Sequence, residues 1–220
     1  MSHTLALSPA APRGYLRLAW LLAAWFGAVL WLSLVNAFQV TPGALPFPTI
    51  AAALIPLALF AGLYVSHAGF RDFVLGLDLR VLVLLHAWRT VGLGFVFLYF
   101  HGKLPALFAL PAGLGDTIAA YGAIVLGIAL YRGPVAKRWV LAWNSFGLAD
   151  FVVAVGTGVA SSNPVLAALS GGVTAAPMQF FPLILIPGFF VPLYVIAHII
   201  IFLQLRRQRG VMVDLARQGA

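Results

Sequence analysis

Six long apolar stretches alternate along the chain with short connections that hold most of its charged residues. A helix needs about 20 predominantly apolar residues to cross the hydrocarbon core of a bilayer. Six stretches reach that length: residues 16–38, 48–67, 81–101, 115–131, 138–160 and 181–205. The pattern predicts an all-α, polytopic membrane helix bundle with six transmembrane helices, in which residues 1–220 form a single integral membrane domain.

Composition agrees with a membrane location. Hydrophobic residues make up 63% of the chain, charged residues only 8%, and the mean hydropathy is +1.04. A soluble domain with so few charges could not cover its surface, so the lipid bilayer is the expected partner. The net charge of +8 is spread over the ends of spans rather than one face, which excludes nucleic acid as a partner. Cysteine is absent, which excludes disulfides and thiolate metal sites.

The cations predict the orientation of the spans. Lys103 is the only cation in the connections on one side, and Arg89 lies within a span. The remaining Lys and Arg residues all fall on the other side: Arg13, Arg17, Arg71, Arg80, Arg132, Lys137, Arg138, Arg206, Arg207, Arg209 and Arg217. Short cytoplasmic segments carry such an excess. We therefore expect a multi-pass protein of the bacterial inner membrane with both termini in the cytoplasm.

The first span allows a second interpretation. Val35, Asn36 and Ala37 have the small-residue pattern of a signal-peptidase site after an arginine-containing start. Cleavage there would leave five spans. The apolar stretch is longer than the usual signal-peptide core of about 7–15 residues, which favours a retained first helix.

Two segments of the chain resemble each other. AWRTVGLG at 87–94 and AWNSFGLA at 142–149 share Ala, Trp, Gly and Leu, and PALFALPAG at 105–113 is matched by PVLAALSGG at 164–172. Both pairs run from a span into the connection on the same side. The similarity predicts a tandem repeat of a two-helix hairpin.

Polar residues inside the spans mark the candidate site. Counted along their helices, those of the third, fifth and sixth spans fall at comparable depth: Arg89, Asp150, Asn144, His86, His198 and Thr90. A lone charge at such depth costs a few kcal/mol on insertion scales, and pairing opposite charges offsets much of it. We predict an ion pair between Arg89 and Asp150, with Asn144 and His86 hydrogen bonded around it. Such a group either fixes the register of the helices or forms a proton or solute site, and both readings stay open.

A second polar group is expected at the outer face. HGKLPALFALPAGLGD at 101–116 reads as a connection with a short interfacial or re-entrant helix. Asp116 would then cap the fourth span, where its carboxylate accepts backbone N–H bonds. Lys103 is its expected partner, and His101 lies beside it.

The sequence carries no recognisable catalytic motif. It has no His-x-x-x-His pair, no Glu and no Cys for zinc chemistry, no Gly-x-Ser-x-Gly turn and no Walker or dinucleotide motif. An enzyme is therefore not favoured, and no metal site is predicted. His86 and His198, at equal depth on facing helices, raise the alternative of axial ligands to a single haem b.

The combination of an intramembrane arginine with GKLPALFALPAGLGD and WNSFGLADF, within residues 86–160, resembles an uncharacterised family of small multi-pass bacterial inner-membrane proteins. No activity is attached to that family. The resemblance implies that Arg89, Asp116, Asn144 and Asp150 matter together.

Three functions fit these observations. The first is a small solute- or proton-binding transport module centred on Arg89 and Asp150, without a bound cofactor. The second is a membrane redox subunit with one haem b. The third is a structural or accessory subunit, which would form a homo-oligomer or bind a partner membrane subunit.

Overall fold

A computed structural model describes residues 12–163, 165, 168 and 171–218 and consists of helices joined by short connections, with no strand among those residues. The helices in chain order are α1 (Pro12–Leu34), α2 (Phe47–Ser66), α3 (Ala68–Leu75), α4 (Leu79–Leu84), a 3₁₀ helix (Leu85–Gly92), α5 (Leu93–Phe100), α6 (Ala106–Arg132) and α7 (Lys137–Ala160). A short 3₁₀ helix (Ala176–Gln179), a π-helical turn (Ile186–Phe190) and α8 (Val191–Gln218) follow. Within the described residues, the predicted all-α fold with six candidate spans is confirmed.

Six of the helical stretches are long and apolar enough to cross a membrane: Gly14–Leu34, Phe47–Ser66, Leu79–Phe100, Ala106–Arg132, Lys137–Ala160 and Ile186–Arg207. Five of them lie close to the predicted ranges. The fourth differs, because α6 begins at Ala106 rather than near residue 115. Most of the segment expected to form a separate interfacial helix is therefore the first part of a continuous 27-residue helix.

The two ends of the bundle are defined by contacts between connections. At one end the ring of Tyr15 meets Phe73, Arg80 lies over the Tyr131 ring, and Lys137 bonds the carbonyl oxygen of Leu205. We call it the basic end. At the other, the distal end, the backbone N–H of Val40 donates to Gln179 Oε1 over 3.0 Å, and Leu104 packs with Ala175 and Met178.

Local chemistry sets the helix boundaries. Asp78 starts α4 by accepting a hydrogen bond from the N–H of Arg80 at 2.8 Å. Gly102 ends α5 in a left-handed conformation with φ of 64°. Its N–H bonds Tyr99 O at 2.9 Å, and that of Lys103 bonds Leu98 O at 2.8 Å, a Schellman motif. The turn is tight enough for α6 to fold back at once along the third span.

A stripe of small residues lets α6 lie at the centre of the bundle. Gly115, Ala119, Ala123 and Gly127 repeat every fourth residue and are all buried. Such a stripe allows helix backbones to approach closely in lipid. At its two ends, a Cβ on Gly115 would meet the Asp150 carboxylate and one on Gly127 would meet Leu84. The fourth span therefore packs closely against both the third and the fifth.

Only part of the predicted repeat falls within the described residues. The third span contains a 3₁₀ helix where the fifth is α-helical throughout, so the two matching segments differ in winding. Residues 164, 166, 167, 169 and 170, which carry most of the second match, lie outside the described residues.

Candidate functional site

The 3₁₀ helix in the middle of the third span aligns its polar residues on one face. A 3₁₀ helix has 3.0 residues per turn, so positions three apart eclipse one another. His86, Arg89 and Gly92 follow that spacing and are all buried, whereas Trp88 and Val91 between them are exposed. Burial at every third residue extends to Val83 before the segment and Phe95 after it. This winding directs His86 and Arg89 together into the bundle.

Arg89 binds two carboxylates from two helices. Its Nε donates to Asp116 Oδ1 of α6 at 2.7 Å, and its Nη2 donates to Asp150 Oδ2 of α7. The guanidinium also lies over the Phe151 ring, with Cζ 3.9 Å from the ring centroid. The arginine side chain is 1% exposed, so these contacts replace its hydration. The predicted ion pair with Asp150 is present, and Asp116 joins it.

His198 of α8 links Arg89 to Asn144. Arg89 Nη1 lies 3.3 Å from His198 Nε2, and the Nδ1 of the same ring lies 2.7 Å from Asn144 Oδ1. Arginine only donates hydrogen bonds, so Nε2 accepts and Nδ1 carries the hydrogen and donates to Asn144. The amide Nδ2 of Asn144 then donates to the carbonyl of His198 at 3.0 Å. These bonds assign His198 as a neutral imidazole with its proton on Nδ1. We call Arg89, Asp116, Asp150, Asn144 and His198 the Arg89 cluster.

Three glycines make room for the cluster. A Cβ on Gly115 would collide with the Asp150 carboxylate, and one on Gly92 would collide with Asp116. A Cβ on Gly147 would lie 2.6 Å from the His198 ring and 3.1 Å from Arg89 Nη1, and the Gly147 carbonyl accepts from that same Nη1 at 3.3 Å.

The sequence match between the third and fifth spans falls on this site. Arg89 and Gly92 align with Asn144 and Gly147, and the two polar residues bond opposite nitrogens of the same His198 ring. The sequence match alone did not predict that Gly92 would lie against Asp116 and Gly147 against His198.

His86 is placed beside the cluster but does not bond it. The residue is completely buried, and neither ring nitrogen has a hydrogen-bond partner among the described residues. The expectation that His86 supplies a hydrogen bond around the ion pair is therefore wrong. Its ring packs instead against His198, Trp143 and Tyr194, with centroids 4.0, 5.2 and 5.3 Å away.

The same packing bears on the haem alternative. The rings of His86 and His198 meet edge to face at 4.0 Å, which leaves no room for a macrocycle between them. Both nitrogens of His198 are also engaged, by Arg89 and Asn144. In this arrangement the two histidines do not fit the axial ligation of a haem iron.

Asp116 is the main correction to the sequence analysis. It was expected to cap the fourth span at the outer face, but α6 begins at Ala106 and its N-cap is Pro105. Asp116 therefore lies nearly three turns inside the helix, bound to Arg89. The proline at 105 and the helix-compatible run after it could have indicated the earlier start.

The other predicted residues lie outside the cluster. Lys103 and His101 are exposed at the distal end, where His101 Nδ1 lies 2.8 Å from the carbonyl oxygen of Phe97. Thr90 donates to the carbonyl of Ala87 in its own helix at 3.1 Å.

A cavity of about 110 Å³ opens next to the cluster on the distal side. Its walls come from α2, α7 and the segment around the π-helical turn, and they are mostly apolar. Asp116 is the member of the Arg89 cluster that lines it. The cluster is thus buried among helices, and the carboxylate of Asp116 is the part of it that the cavity contacts.

A family model described as a domain of unknown function (DUF8737) matches residues 49–206, a range that includes the whole Arg89 cluster and the cavity walls from Thr49 to Val191. No curated protein and no solved structure gave a significant match.

Proposed function

The chain belongs to the family described as a domain of unknown function (DUF8737), and from that premise we propose that it is a small transport module that binds a proton or a solute at the Arg89 cluster. The proposal rests on one observation. Two carboxylates, Asp116 and Asp150, share a single arginine inside a set of apolar helices.

Charge balance is the physical reason for the proposal. With both carboxylates ionised and His198 neutral, the cluster carries one negative charge in excess, and Arg89 is the only cation paired with either acid among the described residues. An uncompensated charge at membrane depth costs a few kcal/mol. One additional positive charge, from a proton or a monovalent cation, removes that cost. The cluster is therefore suited to bind and release one unit of positive charge.

Two features support movement of that charge rather than permanent storage. Asp116 reaches the distal cavity, whereas His198 and His86 extend the polar set towards the basic end. The 3₁₀ helix that carries Arg89 is unusually long, since such runs seldom exceed three or four residues, and a mid-span segment of this kind often marks a hinge. A change in its winding would alter which neighbours Arg89 can reach.

Proton flux in proteoliposomes tests the proposal. The purified protein would be reconstituted with a pH-sensitive dye inside, and a potassium diffusion potential would be imposed with valinomycin. We expect the parent protein to acidify or alkalinise the lumen faster than protein-free liposomes. Asp150→Asn, which removes one carboxylate but keeps its size, should reduce the rate at least tenfold.

Asp72→Asn is the matched control, because Asp72 is exposed on α3 near the basic end, away from the cluster. It should retain the parent rate. Equal rates for the parent and Asp150→Asn, with both proteins monodisperse after reconstitution, would overturn the proposal. Retention of flux in Asp72→Asn and its loss in Asp150→Asn would support it.

The two alternatives make different predictions. A haem subunit should show a Soret band after purification from haem-supplied cells, although the contact of His86 with His198 argues against it. An accessory subunit should purify with a stable partner and show no flux of its own. An absorbance spectrum and a native mass, recorded on the same sample, distinguish these from the transport module.

A further inference from the structure

The distal cavity has a mostly apolar lining, and Asp116 is the charged residue in it. Along α7 its wall runs from Phe151 to Val159, eight residues or about 12 Å of helix. Phe95 and Phe108 also line the cavity. The polar groups at its distal end are Thr49, Ser162 and Gln179. A ligand that filled this cavity would need an apolar body of comparable length or bulk.

The inner end of the cavity presents an anion rather than a cation. Asp116 lines it with a side chain that is 13% exposed, while Arg89 is not part of the lining. Arg89 reaches Asp116 through Nε, and its two Nη groups point away to Gly147, His198 and Asp150. The accessible charge is thus a carboxylate, and the aromatic faces beside it also favour a cation.

We propose that this cavity binds a monovalent amphiphilic organic cation, such as a lipophilic ammonium or phosphonium ion, with its charged head at Asp116 and its apolar part along α7. This inference rests on the proposed function, because the head group supplies the same single positive charge that a proton supplies. The two cannot both be accommodated without an excess of positive charge, so binding of the cation releases a proton from the cluster.

The competition between the proton and the organic cation depends on the charged and titratable groups around Asp116, which come from several helices. Arg89 faces it from the third span and Asp150 from α7. Tyr194 and His198 contribute from α8, and His86 lies behind them. The wall residues from α2 and its N-cap, namely Pro46, Thr49, Ile50 and Ala53, carry no titratable group. One proton per bound cation is the expected exchange.

Binding of tetraphenylphosphonium to the protein in lipid nanodiscs tests the inference. The ion keeps its charge at every pH, so any pH dependence comes from the protein. We expect saturable binding that tightens by up to about tenfold per pH unit while the proton competes, with release of about one proton per ion in weakly buffered solution. Tetraphenylborate, which has nearly the same shape and the opposite charge, should not compete.

Two variants address the two parts of the site. Asp116→Asn removes the charge and should weaken tetraphenylphosphonium binding at least tenfold. Ala154→Phe leaves the charge but fills the wall of the cavity, and it should also abolish binding while the protein remains monodisperse. Asp72→Asn serves again as the control with unchanged binding. Binding that survives both Asp116→Asn and Ala154→Phe would overturn the inference.

The outcomes separate this inference from the proposed function. Proton flux that depends on Asp150, without tetraphenylphosphonium binding to the parent protein, overturns the cation site and leaves the proton module standing. Binding that depends on Asp116 and Ala154, without any flux, supports the cation site and overturns transport. Binding with proton release, together with flux, supports both.

Discussion

Arg89 is the residue on which the site depends, because its guanidinium satisfies carboxylates that approach from two different helices. Its planar fork offers five N–H donors in fixed directions. A lysine would provide one compact charge and could not bridge Asp116, Asp150 and the Gly147 carbonyl together. The conservative exchange Arg89→Lys is therefore expected to behave as a loss of function.

Removal of the charge should destabilise the fold strongly. In Arg89→Leu two buried carboxylates lose their partner, and breaking a buried ion pair costs about 3–5 kcal/mol. The free energy of unfolding in mixed micelles measures this loss. Adding Asp116→Asn and Asp150→Asn to Arg89→Leu should recover a large part of it, because the neutral amides need no counter-charge. Arg132→Leu, at an exposed cation near the end of α6, is the control; a loss as large as that of Arg89→Leu would contradict the argument.

Gly147 offers a sharper test of packing at the site. Gly147→Ala would place a methyl group 2.6 Å from the His198 ring and 3.1 Å from Arg89 Nη1. Such overpacking typically costs about 1–3 kcal/mol, and the displaced contacts should reduce proton flux as well. Gly156→Ala on the same helix has no neighbour within 4 Å and should leave both the melting temperature and the flux near the parent values. Equal behaviour of the two variants would show that Gly147 is not a constraint.

At the scale of elements, the ionised carboxylate of Asp78 stabilises the start of α4 as its N-cap. The Arg80 side chain, bonded to Asp78 at 2.7 Å, holds the pKa of that carboxyl below its usual value. A lowered folded-state pKa means that the stabilisation is present above the unfolded pKa of about 3.9 and is lost as pH falls through the folded value.

Asp78→Ala should therefore lower the free energy of unfolding by about 1 kcal/mol at neutral pH, as the loss of other helix caps does. The difference in melting temperature from the parent should shrink towards zero as the pH is lowered below about 4. Asp72→Ala, at the exposed acid of α3, should show no such change. A difference that stays constant down to pH 3 would mean that the cap acts without its charge.

Some features of the site could be predicted from the sequence, and others could not. Arg89 and Asp150 were paired correctly because two opposite charges at similar depth have few other partners in lipid. Asp116 was misplaced because its helix was assumed to start only where the apolar run becomes continuous, whereas Pro105 starts it earlier. The 3₁₀ winding of Leu85–Gly92 was not predicted, because the sequence of this segment carries no signal that distinguishes a 3₁₀ helix from an α-helix.

At the scale of the whole molecule, the natural absence of cysteine makes the orientation easy to test. Each introduced cysteine is the only thiol in the protein. Lys103→Cys at the distal end and Arg138→Cys at the basic end are compared in intact cells with a membrane-impermeant maleimide. The excess of basic residues predicts labelling of Lys103→Cys from outside and labelling of Arg138→Cys only after permeabilisation. The reverse pattern would contradict the predicted orientation and place the distal cavity on the cytoplasmic side.

The 3₁₀ winding of the third span also has a consequence for how this sequence can diverge. Val83, His86, Arg89, Gly92 and Phe95 face the bundle at strict intervals of three, whereas Val140, Asn144, Gly147 and Phe151 of the fifth span follow the ordinary spacing of an α-helix. Among related chains, substitutions in the third span should accumulate at two of every three positions. A one-residue deletion there would move every following residue out of the buried face, and the next helical turn could not restore the alignment. The length of this segment should therefore be among the least variable features of the family.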